Sequence, residues 1–318
     1  MKRLQRLRRT DHLRNMLSET SFSVDQLIQP LFTVEGISKN EIIPGLLNNE
    51  RMTIESTLKQ VESDLKAGVR QFLLFVVPKE KCLSNFNHHF AETAVRAIKE
   101  RFPNDLTLWV DTCLCSLTTT GHCCVSDENG TPKLDETLKA LSELSLCFVN
   151  AGADGVSPSD MNDGRVSAMR SVLDEAGHSL VPIMSYSTKF ASSFYGPFRL
   201  AADSAPQYGN RKHYQLDVRN RSDAIGSSIR CAEEGADLLM VKPGMTSIDL
   251  IAPITEKTSL PVGAYQVSGE YAGMALLAKE GLLNFHAGLL ESWHVFRRAG
   301  ARFIITYGAR NANEIGLK

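Results

Sequence analysis

Residues 53–77, TIESTLKQVESDLKAGVRQFLLFVV, hold one complete unit of the fold. Apolar residues recur at helical spacing as far as Ala67, Gly68 stops the helix, and 71–77 is a short apolar run rich in strand formers. The junction KAGVR returns as NAGADG at 150–155, EEGADL at 233–238 and RAGARF at 298–303, each with a glycine just ahead of a strand-like run. Eight such runs follow one another, at 27–33, 71–77, 106–111, 155–158, 181–186, 238–241, 262–266 and 302–307. Amphipathic stretches such as 53–67, 134–150, 165–176, 222–234 and 285–299 lie between them. Alternating strands and helices imply an α/β fold with a parallel sheet, and eight strands close a (β/α)8 TIM barrel. An open doubly wound sheet would carry a G-x-G-x-x-G turn after an early strand, and none is present.

The chain has 318 residues, 43% of them hydrophobic, enough for a large core, and no Pro/Gly/Ser linker divides it. We expect an N-terminal arm over 1–24 and a single catalytic barrel domain over 25–318. Lys and Arg number 35 against 36 Asp and Glu, so no global field favours nucleic acid or a membrane surface over small molecules. No run approaches the roughly 18 apolar residues of a membrane span, and the N-terminus lacks a secretory apolar core. A cytoplasmic protein is expected. Five basic residues in MKRLQRLRR, including Lys2, read as a solvated or subunit-contacting arm rather than a targeting signal. Seven cysteines, an odd count, speak against a disulfide framework and for a reducing compartment.

In such a barrel the chemistry collects after the C-terminal ends of the strands. Asp111 and a cysteine cluster follow the third run, Lys189 the fifth, Lys242 the sixth and Ser268 the seventh, while Tyr307 closes the eighth. In WVDTCLCSLTTTGHCC, Cys113 and Cys115 point to one side of an extended chain, and Gly121 lets the loop return Cys123 toward them. Three thiolates suit zinc and leave its fourth position open, as catalytic zinc sites do. The alternative is a group of inert buried thiols. His122 reads as a loop-packing residue and Cys124 as a small core residue.

Lysines in apolar company at a barrel mouth are seldom there for packing. Two that face one cavity would depress each other's proton affinity and free an amine to form a Schiff base with a ketone. For either lysine alone, a surface charge is the competing reading. Arg199 and Arg211 can fork a carboxylate, and Ser268 and Tyr307 offer neutral donors.

The segments DTCLCSLTTTGHC, MSYSTKFASSFYGPFR, LMVKPG and GAYQVSGEY closely resemble, in order, the signature segments of the porphobilinogen synthases. The resemblance implies a lyase that joins two delta-aminolaevulinates with loss of two waters. It implies Lys242 and Lys189 as the Schiff-base lysines of the propionate-side and acetate-side substrates, and Cys113, Cys115 and Cys123 as ligands of one catalytic zinc per subunit. Asp111 takes the place of an acidic residue near the zinc-bound solvent. Arg199, Arg211 and Gln215 match acetate-side carboxylate contacts, and Ser268 and Tyr307 propionate-side ones. Phe75, Tyr186, Tyr195 and Phe198 match aromatic residues of the pocket. The resemblance also implies a homo-octamer whose N-terminal arm wraps a neighbour.

The sequence departs from the family pattern in three places. Cys124 stands where glycine is common, so it either crowds the loop or becomes an oxidation-prone thiol. Ser227 replaces the glutamate of members with an allosteric Mg2+, and a hydroxyl is a poor substitute for a carboxylate on a hard cation. His213 stands where some relatives have a cysteine, which with His122 raises a weak accessory metal site. Competing functions are a class I aldolase-like lyase, which leaves the thiols unexplained, a metal or redox protein, which leaves the lysines unexplained, and an inactive paralogue, motivated by Cys124 and Ser227.

Overall fold

The computed structural model describes residues 3–127 and 129–317; Met1 and Lys2 of the anticipated arm lie outside the described residues. Eight parallel strands form the barrel: β1 (Leu27–Val34), β2 (Gln71–Val77), β3 (Thr107–Thr112), β4 (Gly155–Pro158), β5 (Met184–Lys189), β6 (Leu238–Lys242), β7 (Val262–Gln266) and β8 (Ile304–Thr306). Their order is β4-β3-β2-β1-β8-β7-β6-β5. A parallel bridge between Val156 and Ile183 closes the ring from β4 to the residue ahead of β5.

The unit read at 53–77 forms as expected. Helix α1 (Ile54–Lys66) starts where the Thr53 hydroxyl accepts the Ser56 N–H at 3.1 Å, and it ends before Gly68, whose φ of +92° a side chain would resist. Helices α2 (His89–Arg101), α3 (Leu134–Asn150), α4 (Arg165–Glu175), α5 (Arg221–Glu233), α6 (Ile251–Thr258), α7 (Ser268–Lys279) and α8 (Phe285–Arg298) follow around the outside. Strands of a parallel barrel are covered on both faces, and every residue of β1, β4 and β5 is buried, the polar ones included.

The fifth strand departs from its expected span. It runs three residues later than 181–186 because Pro182 and the turn at 178–181 hold the start, while its polar end is buried by hydroxyls on α5. Thr188 Oγ1 bonds Ser228 Oγ at 2.9 Å, and Ser227 Oγ donates to the Ser187 carbonyl at 2.7 Å.

Candidate active site

Lys189 and Lys242 are direct neighbours, paired in register at the last positions of β5 and β6. The register slips by one residue between Ser185 and Thr188, where three steps on β5 oppose two on β6. That bulge turns Tyr186 and Lys189, three apart, onto one face. Both lysines are more than 95% buried, at 4% and 3% exposure. Lys242 Nζ sits among four rings, 4.0 Å from the centroid of Tyr265, 4.8 Å from Tyr186, 5.0 Å from Phe198 and 5.5 Å from Tyr195. Aromatic faces attract a cation, yet burial and then the neighbouring Lys189 charge push the Lys242 ammonium well below the ordinary lysine range, against the pull of Asp111.

Lys189 Nζ donates to the Ser159 carbonyl, and Ser159 Oγ donates to Asp111 Oδ2 at 3.1 Å. Burial raises the Asp111 carboxyl, partly offset by the two lysines. Asp111 Oδ1 and Tyr186 Oη are both buried and lie close enough to interact with each other, yet among the described residues neither has a well-formed hydrogen bond. Buried polar atoms normally have one, so the pair marks where a reactant's polar atoms would be received. Ser159 carries no sequence signal beyond its place after a barrel strand.

The three thiols converge. The sulfurs of Cys113, Cys115 and Cys123 lie within 4.8 Å of one another, and all three residues are buried. Gly121 permits this: its φ is +68°, and a Cβ there would strike the Ala205 carbonyl. Thiol donation from Cys113 and Cys115, with the positive Arg211 and Lys189, pulls the Cys123 thiol well below its ordinary value despite burial. Burial, with the other two sulfurs, pushes Cys113 up. Three convergent sulfurs, of which Cys123 is the one biased toward ionisation, make a soft donor set for a metal. Zinc–sulfur bonds of about 2.3 Å place tetrahedral sulfurs about 3.8 Å apart, so sulfurs already within 4.8 Å of one another fit a soft divalent ion.

Cys124 faces away, its sulfur 3.8 Å from Ser126 Oγ, and burial lifts its thiol to about 11. A protonated, buried thiol is unreactive, so Cys124 is core rather than an oxidation site. His122 packs the loop: Nε2 bonds the Tyr208 carbonyl at 3.0 Å, which requires the proton there, leaving Nδ1 to accept from Tyr214 Oη at 3.0 Å. Tyr214 Oη in turn accepts the Cys123 N–H at 3.2 Å. Both nitrogens of His122 are thus engaged, and His213 is exposed against the Tyr214 ring. Among the described residues the three cysteines are the sole group of three or more potential ligands with metal spacing, and neither His122 nor His213 belongs to it.

The residues expected to meet the substrate carboxylates lie by the helical turns Ser193–Tyr195 and Gly196–Ala201. Arg211 Nη2 donates to the Gly121 carbonyl at 2.7 Å and also to the Ser204 carbonyl. Burial and then Arg211 lower the Arg199 guanidinium, and neither arginine meets a carboxylate among the described residues. Both amide atoms of the buried Gln215 lack a hydrogen-bond partner among the described residues. Ser268 Oγ accepts the Phe198 N–H at 3.1 Å and so ties the Gly196–Ala201 turn to the start of α7, just after β7. Phe198 meets Phe75 edge to face at 5.1 Å, while Tyr195 Oη donates to the Phe190 carbonyl at 2.8 Å. Tyr307 bonds Tyr265 through their hydroxyls at 3.2 Å. A cavity of about 20 Å³ lies beside Asp111 and Cys113.

Ser227 sits apart from these groups. It is buried, with its hydroxyl turned inward to β5, and the neighbouring Asp163 is bridged to Arg230.

Two adjacent buried amines beside a three-thiol group define a class: barrel enzymes equipped to hold carbonyl substrates through lysine. The family model for delta-aminolevulinic acid dehydratase matches residues 1–315. The chain belongs to that family and, like it, is a lyase. The Helicobacter pylori dehydratase is 44% identical over 317 residues, 97% of each chain, and that of Halalkalibacterium halodurans 41% over 314 residues, 98% of this chain and 95% of the relative. The solved dehydratase of Toxoplasma gondii, in complex with its product porphobilinogen, superposes with a TM-score of 0.95 at 38% identity, covering 99% of this chain and 91% of that one.

Proposed function

We propose that the protein is a porphobilinogen synthase, condensing two delta-aminolaevulinates to the pyrrole porphobilinogen with loss of two waters, in the formation of tetrapyrroles such as haem. The in-register pairing of Lys189 and Lys242 beside the thiol cluster carries this reading. Each lysine amine adds to one substrate ketone and releases one water. The carbon–carbon and ring-closing carbon–nitrogen bonds then displace both lysines as free amines. Holding both ketones side by side replaces a bimolecular encounter with a positioned one. Arg199, Arg211 and Gln215 receive the acetate-side carboxylate, and Ser268 and Tyr307 the propionate-side one. Asp111, raised by burial, exchanges a proton near the reacting carbons. Zinc, when held by Cys113, Cys115 and Cys123, supplies Lewis acidity toward a substrate oxygen. Phe75, Tyr186, Tyr195 and Phe198 exclude water, and substrate enters by displacing the Ser193–Ala201 cover.

Purified protein given delta-aminolaevulinate should form a pyrrole detectable colorimetrically, and a zinc chelator should suppress it. Chelator-insensitive synthesis would remove zinc from the mechanism.

The free amine is the nucleophile, so lowering its pKa keeps Lys242 reactive at pH values where an ordinary lysine, near 10.4, is protonated. Reactivity is lost as pH falls through the lowered value. Lys189→Met removes the second cause of the depression and moves this acid limb to higher pH, as read by borohydride trapping at Lys242 across pH. An unmoved limb would show that Lys189 does not act on Lys242 through charge.

With Ser227 committed to β5, Mg2+ is expected to leave activity unchanged at saturating zinc. A several-fold rise would contradict this. Residues 1–24 act as a subunit-contacting arm in a homo-octamer: Leu4, Leu7, Met16 and Leu17 are exposed there and gain by cover. No helix among the described residues is long and apolar enough to cross a membrane, and the free cysteines suit a cytoplasmic protein.

A further inference from the structure

Between β4 and α4 the chain runs Ser159-Asp160-Met161-Asn162-Asp163-Gly164 into Arg165. Asp160 and Arg165 are both fully buried, with Arg165 Nε 3.5 Å from Asp160 Oδ2. Those two atoms have no hydrogen-bond partner among the described residues, so charge joins them.

The other contacts of the pair lead to the site from two sides. Asp160 Oδ1 accepts Asn162 N–H at 2.8 Å and Asn162 Nδ2 at 2.7 Å. Asn162 Nδ2 also donates to the Cys123 carbonyl at 3.0 Å. Arg165 Nη1 donates to the Asn162 carbonyl at 3.1 Å, and Nη2 to the Tyr186 carbonyl on β5 at 3.2 Å. Ser159, one residue before Asp160, takes Lys189 on its carbonyl. Met161 is held at φ +77°, a conformation that a side chain of its size keeps only where the surroundings fix it. Replacing a buried ion pair by apolar groups is often neutral or stabilising. Stability therefore gives no reason for this pair, whereas its contacts do.

We propose that Asp160 and Arg165 are a positioning pair that fixes the thiol loop, through Asn162 and Cys123, relative to the lysine-bearing strand β5. The inference rests on the proposed roles of the lysines and thiols, and the parent protein separates the two: a parent that traps no imine and makes no pyrrole overturns that reading itself.

Removing one partner alone strands a buried charge and threatens folding, so the test variant is Asp160→Asn with Arg165→Met. It should melt cooperatively, lose kcat on the order of 10²-fold, the scale of a misplaced reacting group, with a far smaller change in KM. Its retention of Zn2+ against a chelator should fall about tenfold or more, as when groups behind metal ligands are removed. A second variant, Asn162→Ala, leaves the ion pair in place. It should lose Zn2+ about as readily while borohydride trapping at Lys242 stays parental. A folded double variant with parental kcat and metal retention overturns the proposal. If the double variant does not fold, parental metal retention in Asn162→Ala overturns it alone.

Discussion

Lys242→Met is expected to lower porphobilinogen formation by at least roughly 10⁴-fold, the scale on which enzymes lose a covalent nucleophile. The cause is chemical rather than structural. Lys242 Nζ lies in an aromatic cage at the end of β6, and methionine fills a similar volume without an amine. No charge is stranded, because Lys189 keeps its bond to the Ser159 carbonyl. The melting temperature should therefore hold or rise, since a buried amine costs stability and a thioether does not. Pyrrole formation and thermal melting, measured on one preparation, check both halves. A variant retaining a tenth of parental turnover would remove Lys242 from the covalent chemistry.

The second large effect is expected at the thiols. Cys123→Ser should reduce turnover by about 10²- to 10⁴-fold, the several kcal/mol attributed to a Lewis acid expressed as a rate. Serine keeps the backbone bonds that Tyr214 and Asn162 make to residue 123, but replaces a soft ligand by a hard, poorly ionised one. Borohydride trapping of substrate on Lys242 should survive, because the amine lies on β6 and not in the thiol loop. Loss of trapping together with turnover would mean that the cluster supports the fold of the site rather than the reaction. Pyrrole assays set beside trapping yields distinguish the two.

Much of this was legible in the sequence because the signals are local. The helix-glycine-strand junctions at Gly68, Gly152, Gly235 and Gly300 reflect backbone conformations that a few neighbouring residues determine, each glycine standing at positive φ. The C-x-C spacing and Gly121 bring three sulfurs together within eleven residues of chain. A lysine ending a buried strand is conspicuous on burial grounds alone. Features set by distant partners could not be read in this way. The bulge on β5 depends on its pairing with β6, and the strand itself begins at Met184 rather than 181 because the turn at 178–181 and Pro182 precede it. Ser159, Asp160 and Asn162 look like ordinary loop residues, and their importance arises from contacts to Lys189, Arg165 and Cys123. His122 offered two donor atoms to a hypothetical metal, but the tertiary fold gave both to Tyr214 and the Tyr208 carbonyl. The inward turn of Ser227 toward Ser187 likewise exists only once α5 docks on β5.

The most direct measurement is borohydride reduction of the protein in the presence of delta-aminolaevulinate, followed by peptide mapping. Label should appear on the peptide carrying Lys242, joined by the one carrying Lys189 when substrate saturates both positions. Pyrrole production with label confined to other lysines, or with none, would contradict a mechanism built on these two paired amines.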